Sequence, residues 1–440
     1  MLSRAIHIAG LLVLVTALGG CSKDTNPAVP PAPERDVISV AERNPLVRIG
    51  LVSFTPQKHL YVSITRGTFN CYVDDSLQSF ASGIAGDIHK FTGEEETIEF
   101  TPAGSSESSE LGNKVVRIEP ADGVENGRIM VGPSKSALRP YRGIIRLILE
   151  GKNILAVDEV PLEEYLLGVV PAEMNLEWPD EALKAQAVVS RTYALFNLKR
   201  YDGRGFDLAD DERSQKYGGY SVESEATTNA VIDTTNQVVT YEERLAVVVF
   251  HAESAGQTAG NLDVWPHSGE VPYLAGVSDV VARTDFSAGG RYAQWSSRAD
   301  FSQLRDALNL DGQTFVGGYL SCITVLGRSE SGRVQTVDII GEKNPVVPAM
   351  TFIHALNRRL GGDFLPSNLF TISVEDHGYR FTGSGKGHGV GMSQWGAYQR
   401  ALNNQGYEFI IGQYFPGCVV SEIPLAGIEV VHNSRIDTIR

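Results

Sequence analysis

The chain is poor in cysteine, has no basic cluster and contains no apolar run long enough to cross a bilayer. Four cysteines in 440 residues, Cys21, Cys71, Cys322 and Cys418, are too few for a disulfide-stapled scaffold. With Cys21 set apart at the end of an N-terminal apolar segment, the other three permit at most one intrachain disulfide, and their spacing names no pair. All three read as small buried hydrophobes. Lys and Arg number 38 against 53 Asp and Glu, a formal net charge of −15, and the cations are scattered. Nucleic acid is therefore excluded as an expected partner. The run from Ala5 to Ala17 is too short for a stable membrane span.

What is present at the start is a targeting segment over residues 1–20, with Arg4 before the apolar run. Its end, Leu18-Gly19-Gly20-Cys21, resembles the lipobox of bacterial lipoproteins, which implies lipidation of Cys21 and a membrane contact by lipid anchor only. An ordinary secretory signal is the alternative. Ser22 in place of an aspartate implies the outer membrane in a two-membrane cell, and the cell surface otherwise. Residues 21–45, rich in Pro and Ala, read as an extended tether.

Residues 46–135 carry short alternating or β-branched runs separated by Gly, Asp and Ser, among them Val47–Val52, Leu60–Ile64 and Val115–Ile118. A similar run covers Ile144–Leu149, and TPAGSSESSE (101–110) reads as a polar loop. No residue type here points to chemistry, so the region reads as a β-rich scaffold.

The informative stretch is Pro161–Tyr201. A helix is expected from Asp180, capped by that residue after Pro179, to about Arg200. It is apolar on several sides, which marks a core helix. Lys184 and Arg191, two turns apart, fall on one line among apolar neighbours and need anionic or hydrogen-bonding partners. Upstream, Pro171 is expected to break the amphipathic segment Leu162–Val170 with a turn that carries Glu173. Between Val169, Val170 and Met174, a carboxyl should titrate above its ordinary range unless a cation lies close by. Such a group is a general acid.

Further on, Tyr201–Tyr220 is a polar excursion, and strands are expected at Asn236–Tyr241 and Leu245–Phe250. His251, Ser254 and Gln257 follow the second strand, where site residues commonly project. A helix is expected near Phe352–Leu360. Glycines then occupy every second position from Gly383 to Gly391, with Lys386 and His388 between them, ahead of a helix starting near Ser393 that carries Gln394. A phosphate loop is disfavoured because Gly387 follows Lys386 where Ser or Thr is needed. A serine nucleophile at Ser254 lacks its strand–turn–helix elbow. Tyr407–Pro416 reads as a short helix, and 422–440 as a tail.

Four ordered blocks, PLEEYLLGVVPAEM with EALKAQAVVSRTYAL, SQKYGGY, FHAESAGQT and GKGHGVGMSQWGAYQRA, resemble the stage II sporulation protein D (SpoIID) and LytB amidase-enhancer family over residues 136–421. The resemblance implies an α+β fold, with a groove between two subdomains, and lytic cleavage of peptidoglycan glycan strands lacking stem peptides. Glu173 would be the catalytic acid. Lys184, Arg191, Tyr217, His251, Gln257, His388 and Gln394 would support it or line the groove, though each cation and each histidine reads equally well as structural. The rival expectation is a non-catalytic module that enhances a cell-wall amidase. The resemblance also implies a Cys-x-x-x-His-Cys cluster, present in many family members and associated with zinc in some, where this chain has Ala209, Arg213 and Ser214, so no metal and no other cofactor is expected. Charge pairs such as Asp210 or Asp211 with Arg213 should hold that loop instead.

Overall fold

The computed structural model describes residues 37–40, 44–123, 127–280, 290–423 and 428–431, so the expected leader, Cys21 and most of the expected tether lie outside the described residues. The fold is α+β. Its helices are α1 (Leu162–Glu173), α2 (Asp180–Phe196), α3 (Glu225–Asp233), α4 (Asn261–Val264), α5 (Phe301–Leu308), α6 (Ala349–Leu360), α7 (Gln394–Leu402) and α8 (Tyr407–Tyr414). No described helix is long and apolar enough to cross a membrane.

The β-branched runs of the first third form a six-stranded and a seven-stranded sheet. In Val115–Pro120 alternate side chains are buried, as a strand with one face on a core requires. The strand Asn153–Pro161 pairs with Leu46–Gly50 and Ile144–Glu150, then passes at Pro161 directly into α1. One hydrophobic core runs through both sheets, α1, α2 and the α7–α8 region. A second, separate core occupies 299–381, where α5 and α6 pack with two three-stranded sheets. Strands at the two ends of the described chain, Val37–Val40 and Ile428–Val431, pair antiparallel.

α2 is the centre of the first core: from Leu183 to Phe196 every residue except Lys184 is buried. Three local expectations are corrected. Asp180 makes no capping bond, because Pro179 occupies the cap and Asp180 is the first helical residue. The helix stops at Phe196 rather than Arg200, where the Asn197 side chain turns back to donate to the Tyr193 carbonyl at 2.8 Å. Pro171 does not break α1, which continues through it to Glu173. A proline in the last turn costs one amide bond, and the Met174 N–H still closes that turn on the Val170 carbonyl.

The expected strand Leu245–Phe250 survives only at Arg244–Leu245 and Phe250–His251. Between them the Val247 N–H is taken by the Tyr273 hydroxyl at 2.8 Å instead of a neighbouring strand. Cys71 and Cys418 are buried, but Cys322 is partly exposed on the edge strand Leu320–Arg328, and all three thiols are free. From Gly383 the chain returns to the first core through glycines 385, 387, 389 and 391, all at positive φ. Met392–Ser393 then pairs in parallel with Phe250–His251, and the Ser393 side chain caps α7.

Candidate active site

Glu173 is the last residue of α1, so its carboxyl sits at the negative end of that helix. It is partly exposed yet densely surrounded. Burial raises its pKa above the ordinary carboxylate value, and the nearby charge of Glu212 pushes the same way. Three contacts oppose this: the Lys216 backbone N–H, the positive Lys216 side chain and the Gln394 amide. The Lys216 N–H donates to Glu173 Oε1 at 2.7 Å. Gln394 is oriented in turn by Gln186, whose own amide donates to Ser190 Oγ at 2.9 Å, leaving its oxygen to accept from Gln394 Nε2 at 3.4 Å. The carboxyl is thus biased toward its neutral form, while donors stand ready for its anion.

The loop that carries Lys216 is fastened on both sides. Gln215 Nε2 donates to the Ser190 carbonyl of α2 at 3.2 Å, and the Gly218 N–H donates to the Gly168 carbonyl of α1 at 3.0 Å. A Cβ at Gly168 would lie 2.5 Å from the Tyr217 ring, so only glycine lets this loop dock on α1. Tyr217 is buried, and its hydroxyl donates to Asp158 at 2.7 Å. Burial raises the pKa of Asp158 to about 7. Tyr217 therefore fixes the loop from behind instead of lining a groove.

Neither cation of α2 contacts Glu173. Arg191, fully buried, forms a two-pronged pair with Glu163 at 2.8 and 2.7 Å and donates to the carbonyls of Gln237 and Val231. Lys184 pairs with Asp233 at 3.0 Å and Glu181 at 3.4 Å. Both residues face the C-terminal end of α3, where cations satisfy the last carbonyls. Their alignment, legible in the sequence, serves helix packing.

His251 and His388 form a second nest, with ring centroids 5.7 Å apart and Trp265 beside His388 at 5.0 Å. His251 Nδ1 faces the Val390 carbonyl at 3.0 Å, so it carries the proton, and its buried Nε2 has no partner among the described residues. His388 Nδ1 accepts the Val390 N–H at 3.1 Å. Burial drives both pKa values down, that of His388 to about 4. Gln257 is exposed and belongs to neither nest. Ser254 donates to Asp279 at 2.6 Å, in a buried network with Tyr414, and is not paired with His251.

Around Glu173 the structure adds an aromatic wall that the motif reading passed over. Trp178, in the α1–α2 connection, stacks on Tyr398 at 4.9 Å and meets Trp395 edge-on at 5.8 Å, all three rings partly exposed. The available signal was the spacing of Trp395 and Tyr398, three apart on one helix face beside Gln394. Facing this region from the second core, α6 packs Met350 on the first core and carries His354, which feels the charge of Glu212.

At the loop where the resemblance implied a zinc cluster in other family members, Ser214 Oγ accepts the Ala209 N–H at 3.1 Å and Arg213 pairs with Asp211 at 2.7 Å. Asp210 accepts instead from Ser53, through its N–H at 2.8 Å and its hydroxyl at 2.5 Å. These donors do not fit a zinc ion. Among the described residues no three His, Cys, Asp or Glu side chains converge elsewhere.

Four separated sequence blocks thus define an α+β protein built around one carboxyl at a helix end, with an aromatic wall beside it. The family model described as Stage II sporulation protein (SpoIID) matches residues 150–241, and a model for a domain of unknown function matches 275–391, which contains the second core. An uncharacterized protein of Brachyspira hyodysenteriae is 31% identical over 63% of this chain and 71% of its own length. Stage II sporulation protein D of Bacillus amyloliquefaciens is 28% identical over 61% of this chain and 76% of its own. The Bacillus subtilis protein named Amidase enhancer is 26% identical over 58% of this chain, which spans only 40% of that longer protein. The chain belongs to the SpoIID family.

Proposed function

We propose that this protein acts on the bacterial cell wall, cleaving peptidoglycan glycan strands that lack stem peptides by lytic transglycosylation with Glu173 as the single acid and base. The observation that carries the reading is the state of Glu173: raised by burial, yet holding a backbone N–H and an amide for its anion. Protonated Glu173 gives its proton to the bridging oxygen as the C1–O bond breaks. The resulting carboxylate, held by the Lys216 N–H, takes a proton from the sugar's own 6-hydroxyl. That oxygen closes on C1, giving a 1,6-anhydro end and returning Glu173 to its acid form. Hydrolysis would instead use a second carboxylate at a defined separation. The neighbouring acids have other partners: Glu163 pairs with Arg191, Glu164 lies near Arg142 at 3.7 Å, and Glu212, whose charge acts on Glu173, lies 3.5 Å from Lys216. Trp178, Trp395 and Tyr398 offer apolar faces to sugar rings. Lipidation at Cys21 would hold the enzyme at the envelope by its tether.

The alternative is a glycan-binding module that stimulates an amidase, and the name of the Bacillus subtilis relative favours it. Incubating wild type and Glu173→Gln with denuded strands separates the two. The enzyme reading expects anhydro-muramyl ends, seen by mass spectrometry, from wild type only. Their absence from wild type, with amidase stimulation intact in both proteins, would overturn it.

A further inference from the structure

A cleft lined by Trp295, Arg328, Thr371, Thr382 and Gly383 lies away from Glu173, on the second core. It encloses about 680 Å³, within the range of small-ligand sites. One wall is Trp295, which sits opposite Gly383 in the register of two antiparallel strands. A Cβ at Gly383 would lie 2.3 Å from the indole, so the missing side chain is what lets that ring lie against the strand. The indole N–H is already spent on the Gly385 carbonyl at 3.1 Å, which leaves Trp295 as a fixed apolar wall. Along the rim, the hydroxyls of Thr371 and Thr382 lie 2.8 Å apart. Arg328 is held by the carbonyls of Gly332 at 2.8 Å and Phe370 at 2.7 Å, with further N–H groups to spare.

Arg328 is the one charged side chain among the described lining residues, in a chain of net charge −15. An apolar ring, paired hydroxyls and a guanidinium suit a ligand with apolar sugar faces, hydroxyl edges and a carboxylate. Accepting the glycan reading of the Glu173 site, we infer that this cleft is a second saccharide subsite. It binds amino-sugar units whose lactyl ether ends in a free carboxylate, with that carboxylate on Arg328 and a ring face on Trp295. The segment that lines the cleft at Gly383 and Ser384 continues to Gln394 at Glu173. A polymeric strand held at both places gains affinity that a short oligosaccharide lacks.

The test uses the full chain carrying Glu173→Gln and 5-fluorotryptophan, whose four tryptophans give four fluorine resonances, assigned by single Trp→Phe variants. Denuded glycan strands, which have lactyl carboxylates, and chitin oligosaccharides, which have none, are titrated separately. The Trp295 resonance should shift with both, at about tenfold lower concentration for the denuded strands, and Arg328→Ala should erase that preference. Trp178 and Trp395 report on the Glu173 groove independently. If they shift while Trp295 does not, the second subsite is refuted and the cleavage reading stands. If Trp295 alone shifts, the subsite stands and the cleavage reading loses its groove. Silence at all four overturns both. An unchanged preference in Arg328→Ala, with Trp295 still shifting, refutes the role of the carboxylate.

Discussion

The Glu173 site and the His251–His388 nest are both built from signature segments, and in both burial biases the titratable groups toward their neutral forms. They differ in what they offer the other protonation state. At Glu173, a backbone N–H, an amide and a nearby cation wait for the anion, and the residue is partly exposed. In the nest, no carboxylate lies among the groups acting on either ring, while Arg333 repels any added proton and burial penalises it. Burial alone thus makes an inert group. Burial with donors matched to the charged form makes one that can cycle.

The sharpest way to break this comparison is to remove the acid. Glu173→Gln should lower cleavage of denuded strands by roughly 10²–10⁴-fold. Its effect on stability has the opposite sign. Because the folded-state pKa of Glu173 is raised, its protonated form is favoured by folding, and that contribution is lost as pH rises through the folded pKa. At neutral pH the variant should therefore unfold at higher urea than wild type, with the difference shrinking toward acid pH. His251→Gln should do the reverse, lowering the midpoint while sparing kcat per folded molecule. A dead His251→Gln with an unchanged midpoint would erase the distinction between the two sites.

Next in size is Arg191→Met. It strands Glu163 and two backbone carbonyls around a fully buried position, a loss of about 3–5 kcal/mol. Urea titration measures it, and the surviving folded fraction should retain normal kcat. A loss of kcat in the folded fraction would return Arg191 to the active site.

How much of this was legible follows the same physics. The β-branched runs, the buried helix and the isolated acid were readable, because periodicity and composition report which faces are apolar. The partners of Lys184 and Arg191 were not. A buried cation announces only that it needs an anion, and Glu163 lies 28 residues away on another helix. Pro171 misled for a local reason, since its position in the last turn was invisible until the end of α1 was known. The second core, 299–381, came through only as a helix in a β-rich stretch, because its strands alternate around exposed faces and carry no motif. The aromatic wall lay inside a recognised block, yet one side of it comes from Trp178, a sequence distance no spacing rule reaches.

Trp178→Ala then sharpens the comparison from the substrate side. Removing its apolar face from the proposed sugar groove should raise KM about two- to tenfold with kcat nearly unchanged, while the lost ring contacts with Tyr398 and Trp395, about 0.5–1.5 kcal/mol, lower the unfolding midpoint as well. The equivalent change beside the histidines, Trp265→Ala, should leave KM alone and lower the unfolding midpoint. Steady-state kinetics with strands of fixed length distinguishes the two.

The smallest expected effect probes the cycling itself. Lys216 contributes to Glu173 twice, through a backbone N–H that substitution leaves in place and through a positive side chain that it removes. The same ammonium lies 3.5 Å from Glu212, whose charge acts on Glu173 in the opposite direction. In Lys216→Ala both changes favour protonated Glu173, one by deleting a cation and the other by freeing an anion. The basic limb of kcat/KM, where the acid form is lost, should therefore move to higher pH. Because the ammonium is about half exposed, solvent and salt screen it, and the move should shrink as ionic strength rises. A basic limb that moves to lower pH, or that ignores both the substitution and salt, would mean that the group titrating in catalysis is not Glu173.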